Sequence, residues 1–519
     1  MTSICLNEDC NNFVCSFPAS EMTVDALKKH AQAYATGQVS RVLFNVNAQR
    51  ACFPSSTMEP IWKDAVFHED GTITYEGKPL VPKSMNATVK HLKMMFDKGI
   101  DPYAVWLEET RRLKREAWVS IRMNDMHAAL DENSIMHDSF WRNHREFRIS
   151  TYDVKSWPGQ GYDYAHPEVR AYQLAFLREV LERYDADGIE LDWSRFPQHL
   201  RAGFELLDAH CLTDFMRKAK NLIGEYSQKR GHLIQIGMRL PSRPELARRH
   251  GFELGVLRDE HLADVVVVTN FFPNTDHDMP MELWREILGK EIELDAGLEV
   301  GLRTNNQSPF MVGTLETSLG YACEYLHRGA DAIYLFNHMR GATGIQDDAA
   351  LQQLLAVAGD ATTAYPMKRR HVLSCCTTNY VSIDTRALLP LEVDGNSYAQ
   401  IRIHVGGGTA GRNATILLGF KENDSDLPLD VRLNGVPCEK TEPPPRVVRT
   451  KAVLDTETMS RTDKTSFIQD NVLAMPEYVM SCRCFKIPQG ALHDGENAIQ
   501  LLVKKEQTVT VTWAEIDLL

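Results

Sequence analysis

Residues 166–193 read HPEVRAYQLAFLREVLERYDADGIELDW, and the two halves of this stretch obey different periods. Pro167 suits the first position of a helix, where its missing N–H costs nothing. Val169, Tyr172, Phe176 and Val180 then recur at helical spacing. After the break at DADG, the run GIELDW alternates instead. Ile189, Leu191 and Trp193 share one side of a strand, and Glu190 and Asp192 share the other. A helix feeding a short strand is the repeating unit of a parallel sheet with crossover helices.

The same rhythm extends in both directions. Strands are expected at Ser3–Asn7, Arg41–Asn47, Trp118–Met123, Gly188–Trp193, Leu233–Arg239, Ala263–Asn270, Gly297–Arg303 and Ala332–Asn337. Eight such strands close a (β/α)₈ barrel, and residues 1–360 are assigned to it. Thr23 is placed to cap the helix running through Leu27 to Tyr34. Two excursions break the rhythm. Residues 50–85 carry DGTITYEGKPL, which reads as a small hairpin, and residues 127–165 are rich in aromatics and end in WPGQGYDY. Long loops after barrel strands build the active face.

Beyond about Asp360 the helical pattern stops. YAQIRIHVG, ATILLGF, DVRLNGV, YVMSCRCFKI and the C-terminal run from Asn497 read as strands of one antiparallel β-sandwich, so residues 361–519 form the second expected domain. A length of 519 residues suits such a division.

Composition narrows the function. The net charge of −13 argues against non-specific nucleic-acid binding. No apolar run reaches membrane-spanning length, so no membrane partner is expected. The eleven cysteines form no CxxC pair, which indicates neither a zinc nor a thioredoxin-like site. The chain as written shows no signal peptide and is expected in the cytoplasm, unless an export signal was trimmed from it.

Strand parity then picks out candidate residues. Asn7 and Asp9 share the inward parity of the first strand, Asn45 and Asn47 of the second, and Ser120, Arg122 and Asn124 of the third. Glu190 and Asp192 face in on the fourth, Gln235 and Arg239 on the fifth, and Glu299 and Arg303 on the seventh. Polar groups clustered at the C-terminal ends of barrel strands read as functional; the bland alternative is a silent plug of arginine–carboxylate pairs. Arg122, Arg239 and Arg303, with Arg195 close behind the fourth strand, suit a carboxylate or phosphate. No phosphate-binding glycine motif accompanies them, which favours an acidic sugar over a nucleotide. His127 follows the third strand and is a candidate acid or base, against the common reading of a lone histidine as structural. Glu190 and Asp192 lie on one strand and cannot easily flank a bond from both sides, so a structural or positioning role is expected. Asp276, His277 and Asp278 are a weak metal candidate without a matching cluster elsewhere. No metal and no organic cofactor is expected.

The stretches RMNDMH, HPEVRAYQLAFLREVLERYDADGIELDWSRFP and IYLFNHM resemble a glycoside-hydrolase-like superfamily of (β/α)₈ barrels. Their spacing is similar to that of glycoside hydrolase family 156, which contains inverting exo-sialidases. The resemblance covers roughly residues 1–345. It implies Asp9 and His127 as the catalytic pair, Arg122 and Arg195 as the clamp on the sugar carboxylate, and Asn337 as a substrate contact. Asn124 joins the substrate-binding candidates through its parity. The propeller sialidases' repeat SxDxGxxW is absent, and no inward tyrosine stands out as the nucleophile of a retaining sialidase. A neutral His127 activating water with a protonated Asp9 as acid is one assignment; the reverse, or a dyad working as a unit, stays open. The expected partner is a sialylated glycan or small sialoside, and a homodimer is the assembly considered. The alternatives are another barrel glycosidase working through Glu190, Asp192 or Glu299, and a non-catalytic glycan-binding protein.

Overall fold

The computed structural model describes residues 3–519 apart from 151–154, 156, 272–273, 306–307, 309–310, 341–347, 377–386, 423–427, 443–445, 451–452, 456–459, 463–464, 469–477 and 505–506, with backbone only at residues 83 and 446–468. Parts of the 127–165 loop therefore lie outside the described residues.

Eight parallel strands close the barrel: β1 (Ser3–Glu8), β2 (Val39–Asn45), β3 (Glu116–Arg122), β4 (Gly188–Asp192), β5 (Gln235–Pro241), β6 (Val265–Thr269), β7 (Glu293–Glu299) and β8 (Ala332–Phe336). Each pairs with its sequence neighbours, and β8 returns to β1 with Leu335 opposite Leu6. Thr23 caps its helix by accepting from the Ala26 N–H at 3.2 Å, and Pro167 opens the helix Pro167–Arg183. The excursion near residue 70 is a three-stranded ribbon, Val66–Phe67, Ile73–Tyr75 and Lys78–Pro79.

Alternation decides the barrel's two faces. Val119, Ile121, Ile189, Leu191 and Met238 pack outward into the large core shared with the helices. Cys5, Leu43, Trp118, Val265, Val267, Tyr334 and Phe336 fill the lumen as a separate cluster. Trp118 occupies space left by two glycines: a Cβ on Gly188 or Gly237 would stand within 3 Å of its ring. Above this apolar layer the lumen turns polar, with Ser120, Glu190, Asp192 and Arg239 all buried.

Two expectations need correction. The seventh strand lies four residues earlier than expected, because LDAGLE rather than LEVGLR forms the ladder with β8. Gly301–Leu302 then pairs antiparallel with Met311–Val312, which takes Arg303 out of the barrel register and off the lumen. The second correction concerns tyrosine. β8 carries Tyr334 inward, where its hydroxyl donates to Glu190 Oε1 at 3.0 Å.

Most of the C-terminal strands form two packed antiparallel sheets, while Arg446–Thr450 and Thr465–Ile468 extend the Gly301–Leu302 and Met311–Val312 ladder and Val453–Asp455 pairs with Ser460–Thr462. One contains Arg369–Val372, Leu391–Val393, Ala414–Phe420, Glu439–Thr441, Ser481–Lys486 and Val509–Leu518; the other contains Ala399–His404, Leu429–Leu433, Val436–Pro437 and Glu496–Val503. Ile416 and Leu418 face the second sheet across a core that includes Ile401 and Ile499. The opposite face of the first sheet, at Leu417, Cys484 and Trp513, belongs to the barrel's own core cluster. This sheet is thus covered on both sides, which explains why all seven residues of Ala414–Phe420 are buried. Gly320 marks the closest approach: a Cβ there would collide with the Arg370 carbonyl.

Candidate active site at the C-terminal rim of the barrel

Four strand ends build the site. At β4, Asp192 accepts from the backbone N–H groups of Ser194 and Arg195 at 3.0 and 2.8 Å, which shapes the turn that presents Arg195. The same carboxylate takes both prongs of Arg239 at 2.9 Å, and the guanidinium lies 3.9 Å over the Phe336 ring. The inward acid of GIELDW is therefore spent on holding the scaffold. Glu190 lies deeper, accepting from Ser120 Oγ at 2.7 Å and from Tyr334. Burial, helped by Asp192, pushes its carboxyl up to about 7.

At β3, Arg122 reaches Asp9 Oδ1 at 2.7 Å and Asp125 Oδ2 at 3.0 Å. Asp125 also accepts from the His127 backbone N–H at 3.0 Å and meets the ring Nδ1 at 2.8 Å. The other ring nitrogen, Nε2, stands 2.9 Å from Arg195 Nη2. A guanidinium N–H can only donate, so Nε2 accepts and the ring proton sits on Nδ1, facing Asp125. Ala128, next in sequence, adopts φ 55°, a left-handed conformation that is unfavourable for a residue with a Cβ. At β8, Asn337 is also left-handed, at φ 61°, and its amide donates to Glu299 Oε2 at 2.8 Å.

Electrostatics separate the carboxyls. Burial raises Asp9, but Arg122 and then Arg195 outweigh it and hold its carboxyl below the usual range. Asp125 is likewise held well below that range, with His127, Arg122 and Arg195 opposing burial. Glu299 goes the other way, pushed by burial up to about 8 despite Arg239 and Asn337. For Arg195 itself, burial and the neighbouring Arg122 lower the pKa. Among the described residues Arg195 makes no ion pair within 4 Å, and its buried Nε has no hydrogen-bond partner.

Asp9, Arg122, His127, Arg195 and Asn337 all line one cavity of about 550 Å³, a volume that suits a monosaccharide. Its lining also takes in Tyr75, Lys78 and Pro79 of the ribbon and Leu80, Val81 and Pro82 just after it. Asn124 does not line it. Its amide donates to the carbonyls of Tyr162 and Gln198 and accepts from the Tyr162 N–H, pinning the long loop behind the site. Arg239 is consumed by Asp192 and Arg303 has left the lumen, so of the four expected arginines only Arg122 and Arg195 reach the cavity. Asp276 and Asp278 are engaged by Arg243 and Arg328, which removes the metal-site reading of that loop. Among the described residues, the group with metal-ligand spacing is Cys5, Glu293 and Asp295 at the opposite end of the barrel, and Arg41 already reaches into it. Parity reasoning missed Asp125, because it lies past the strand; its signal was the D-x-H spacing, which lets one carboxylate meet both the backbone and the ring of the histidine.

The closed parallel barrel gathers acidic, basic and imidazole groups at its C-terminal rim, the end where barrel enzymes place their active sites. Residues 61–219 match the glycosyl hydrolase-like 10 family, which supports a glycosidase and leaves its sugar open. That segment holds Arg122, His127 and Arg195, while Asp9 and Asn337 fall outside it. No curated protein matches the chain. Among solved structures, a GH138 enzyme targeting pectin rhamnogalacturonan II is 9% identical, with a TM-score of 0.38 over 70% of this chain and 48% of its own, so this chain spans about half of it. A family 18 N-acetylglucosaminidase from Paenibacillus barengoltzii is 10% identical, with a TM-score of 0.34 over 68% of this chain and 99% of that one. An alpha-L-fucosidase from Paenibacillus thiaminolyticus is 11% identical, with a TM-score of 0.34 over 97% and 96%.

Proposed function

We propose that this barrel is an exo-sialidase that removes a terminal carboxylate-bearing sugar with inversion at the anomeric carbon. The observation that carries the reading is Arg195: a guanidinium in the cavity wall that, among the described residues, makes no ion pair within 4 Å and has a buried Nε without a hydrogen-bond partner, beside a second arginine. Such a group wants an anion. A sialoside supplies one on the anomeric carbon itself, so a carboxylate seated between Arg122 and Arg195 brings the scissile bond to His127 and Asp9.

The free site favours one assignment of roles. Asp9 lines the cavity with its carboxyl held below the usual range, so it is present as a carboxylate and takes the proton-accepting role. His127 accepts from Arg195 in the empty site. A bound carboxylate takes over that N–H, releases Nε2 and adds negative charge beside the ring. The imidazole, backed by Asp125, is then placed to carry a proton to the leaving oxygen. This reverses the assignment of Asp9 as the acid. Glu190 and Asp192 do not line the cavity, which weighs against a glycosidase built on that pair.

A panel of chromogenic glycosides that includes a sialoside tests the reading. Release of free sialic acid is the expected result. Turnover of only uronic or neutral glycosides would overturn it, and glycan binding without any turnover would make the protein a lectin-like binder.

A further inference from the structure

The site has a second lobe. A cleft of about 650 Å³ is lined by Met126, Trp157, Phe196 and Phe271, and it shares His127, Ala128, Asp131 and Arg195 with the charged cavity. Its three large rings form one group. Trp157 stacks along Phe271 with centroids 6.0 Å apart and meets Phe196 edge-on at 5.6 Å, while Phe196 and Phe271 lie 5.5 Å apart. Phe196 also packs edge-on against the His127 ring at 5.0 Å.

We propose that this aromatic cleft is the aglycone subsite, and that it holds the pyranose ring of a neutral penultimate sugar. The inference rests on the sialidase reading for its orientation. In a sialoside the carboxylate and the leaving oxygen share one carbon, so the arginine clamp fixes where the aglycone begins. Arg195 and His127 form the boundary between the two lobes, and the aglycone therefore departs across that boundary. A pyranose presents a face of C–H bonds that packs against aromatic rings, which desolvates both at little polar cost. The charged lobe, with its arginines and Asn337, keeps the acidic sugar. Among the described residues that line the aromatic lobe, Arg195 is the only Lys or Arg, and it sits at the boundary with the charged cavity.

Two measurements test this separately. The first uses lactose, a neutral disaccharide without the carboxylate, in saturation-transfer NMR with the full-length protein. Transfer to its ring protons is expected with wild type and is expected to be lost in Phe271→Ala and in Trp157→Ala. This readout needs no turnover, so it stands even if the sialidase reading fails. The second compares kcat/KM on sialyllactose and on a methyl sialoside. Phe271→Ala is expected to cost tenfold or more on sialyllactose and less than twofold on the methyl sialoside, which has no ring to place. Absent lactose transfer, lactose transfer unchanged in both variants, or equal losses on the two sialosides would each overturn the proposal. Failure of wild type to hydrolyse either sialoside, with lactose transfer lost in the variants, would retain the sugar-binding cleft and remove its assignment to a sialidase.

Discussion

Arg195 Nη2 donates to His127 Nε2 across 2.9 Å, linking a guanidinium of the cavity wall to the imidazole. One side of that ring is therefore committed to Asp125 and the other to a guanidinium that a ligand anion would draw away.

Arg195→Ala should remove the clamp while leaving the barrel folded, because among the described residues this side chain makes no ion pair within 4 Å. A desolvated pair of this kind is worth about 2–5 kcal/mol, a loss of roughly 30- to 5,000-fold in kcat/KM. The loss should be far smaller on a neutral glycoside with the same leaving group. Arg122→Ala should weaken substrate too, and should also lower the melting temperature, since Arg122 neutralises both Asp9 and Asp125.

His127→Ala should reduce kcat by roughly 10²–10⁴-fold, the usual value of a positioned acid–base group. Asp125→Asn preserves shape but removes the charge behind the ring. It is expected to lower kcat with little change in KM, since Asp125 does not line the cavity. An unchanged kcat would detach Asp125 from the chemistry.

The acid limb of the kcat/KM profile should lie below the ordinary carboxylate range. Asp9's carboxyl is depressed by Arg122 and Arg195, so its basic form persists to lower pH than that of a free aspartate. Arg195→Ala should move the limb upward. A wild-type limb well above pH 5 would point to another base.

Much of this was legible in the sequence. The eight-strand count held because each barrel strand alternates or runs apolar between amphipathic helices, and the inward parity of Arg122, Glu190, Asp192, Arg239 and Glu299 followed from a period of two. The errors arose where the chain leaves that period. Arg303 was misplaced because Leu302 continues the apolar alternation past the real strand end at Glu299. Tyr334 was overlooked although it shares the parity of Phe336. Asp125 and the aromatic cleft sit on loops, whose geometry comes from long-range contacts such as Asn124 with Tyr162.

Glu299 should make stability pH-dependent. Its folded-state value, about 8, lies above that of an unfolded glutamate, so the folded chain keeps a proton that the unfolded chain releases. Its contribution is fully present below the unfolded pKa and is lost as pH rises towards 8, by at most about 1.4 kcal/mol per pH unit. Glu299→Gln cannot ionise and its carbonyl still accepts from Asn337. Its melting temperature should therefore gain on wild type between pH 5 and pH 8. A constant difference across that range would contradict the buried, protonated Glu299.

The most direct test is proton NMR of the first sugar released from a sialoside, read before mutarotation. Direct attack by water activated at Asp9, with His127 protonating the leaving oxygen, predicts free sialic acid whose first-formed anomer is opposite to that of the substrate. A first product of unchanged configuration would contradict the account. It would require a covalent intermediate and shift attention to Tyr334 and Glu190, which are hydrogen-bonded at 3.0 Å below the cavity floor.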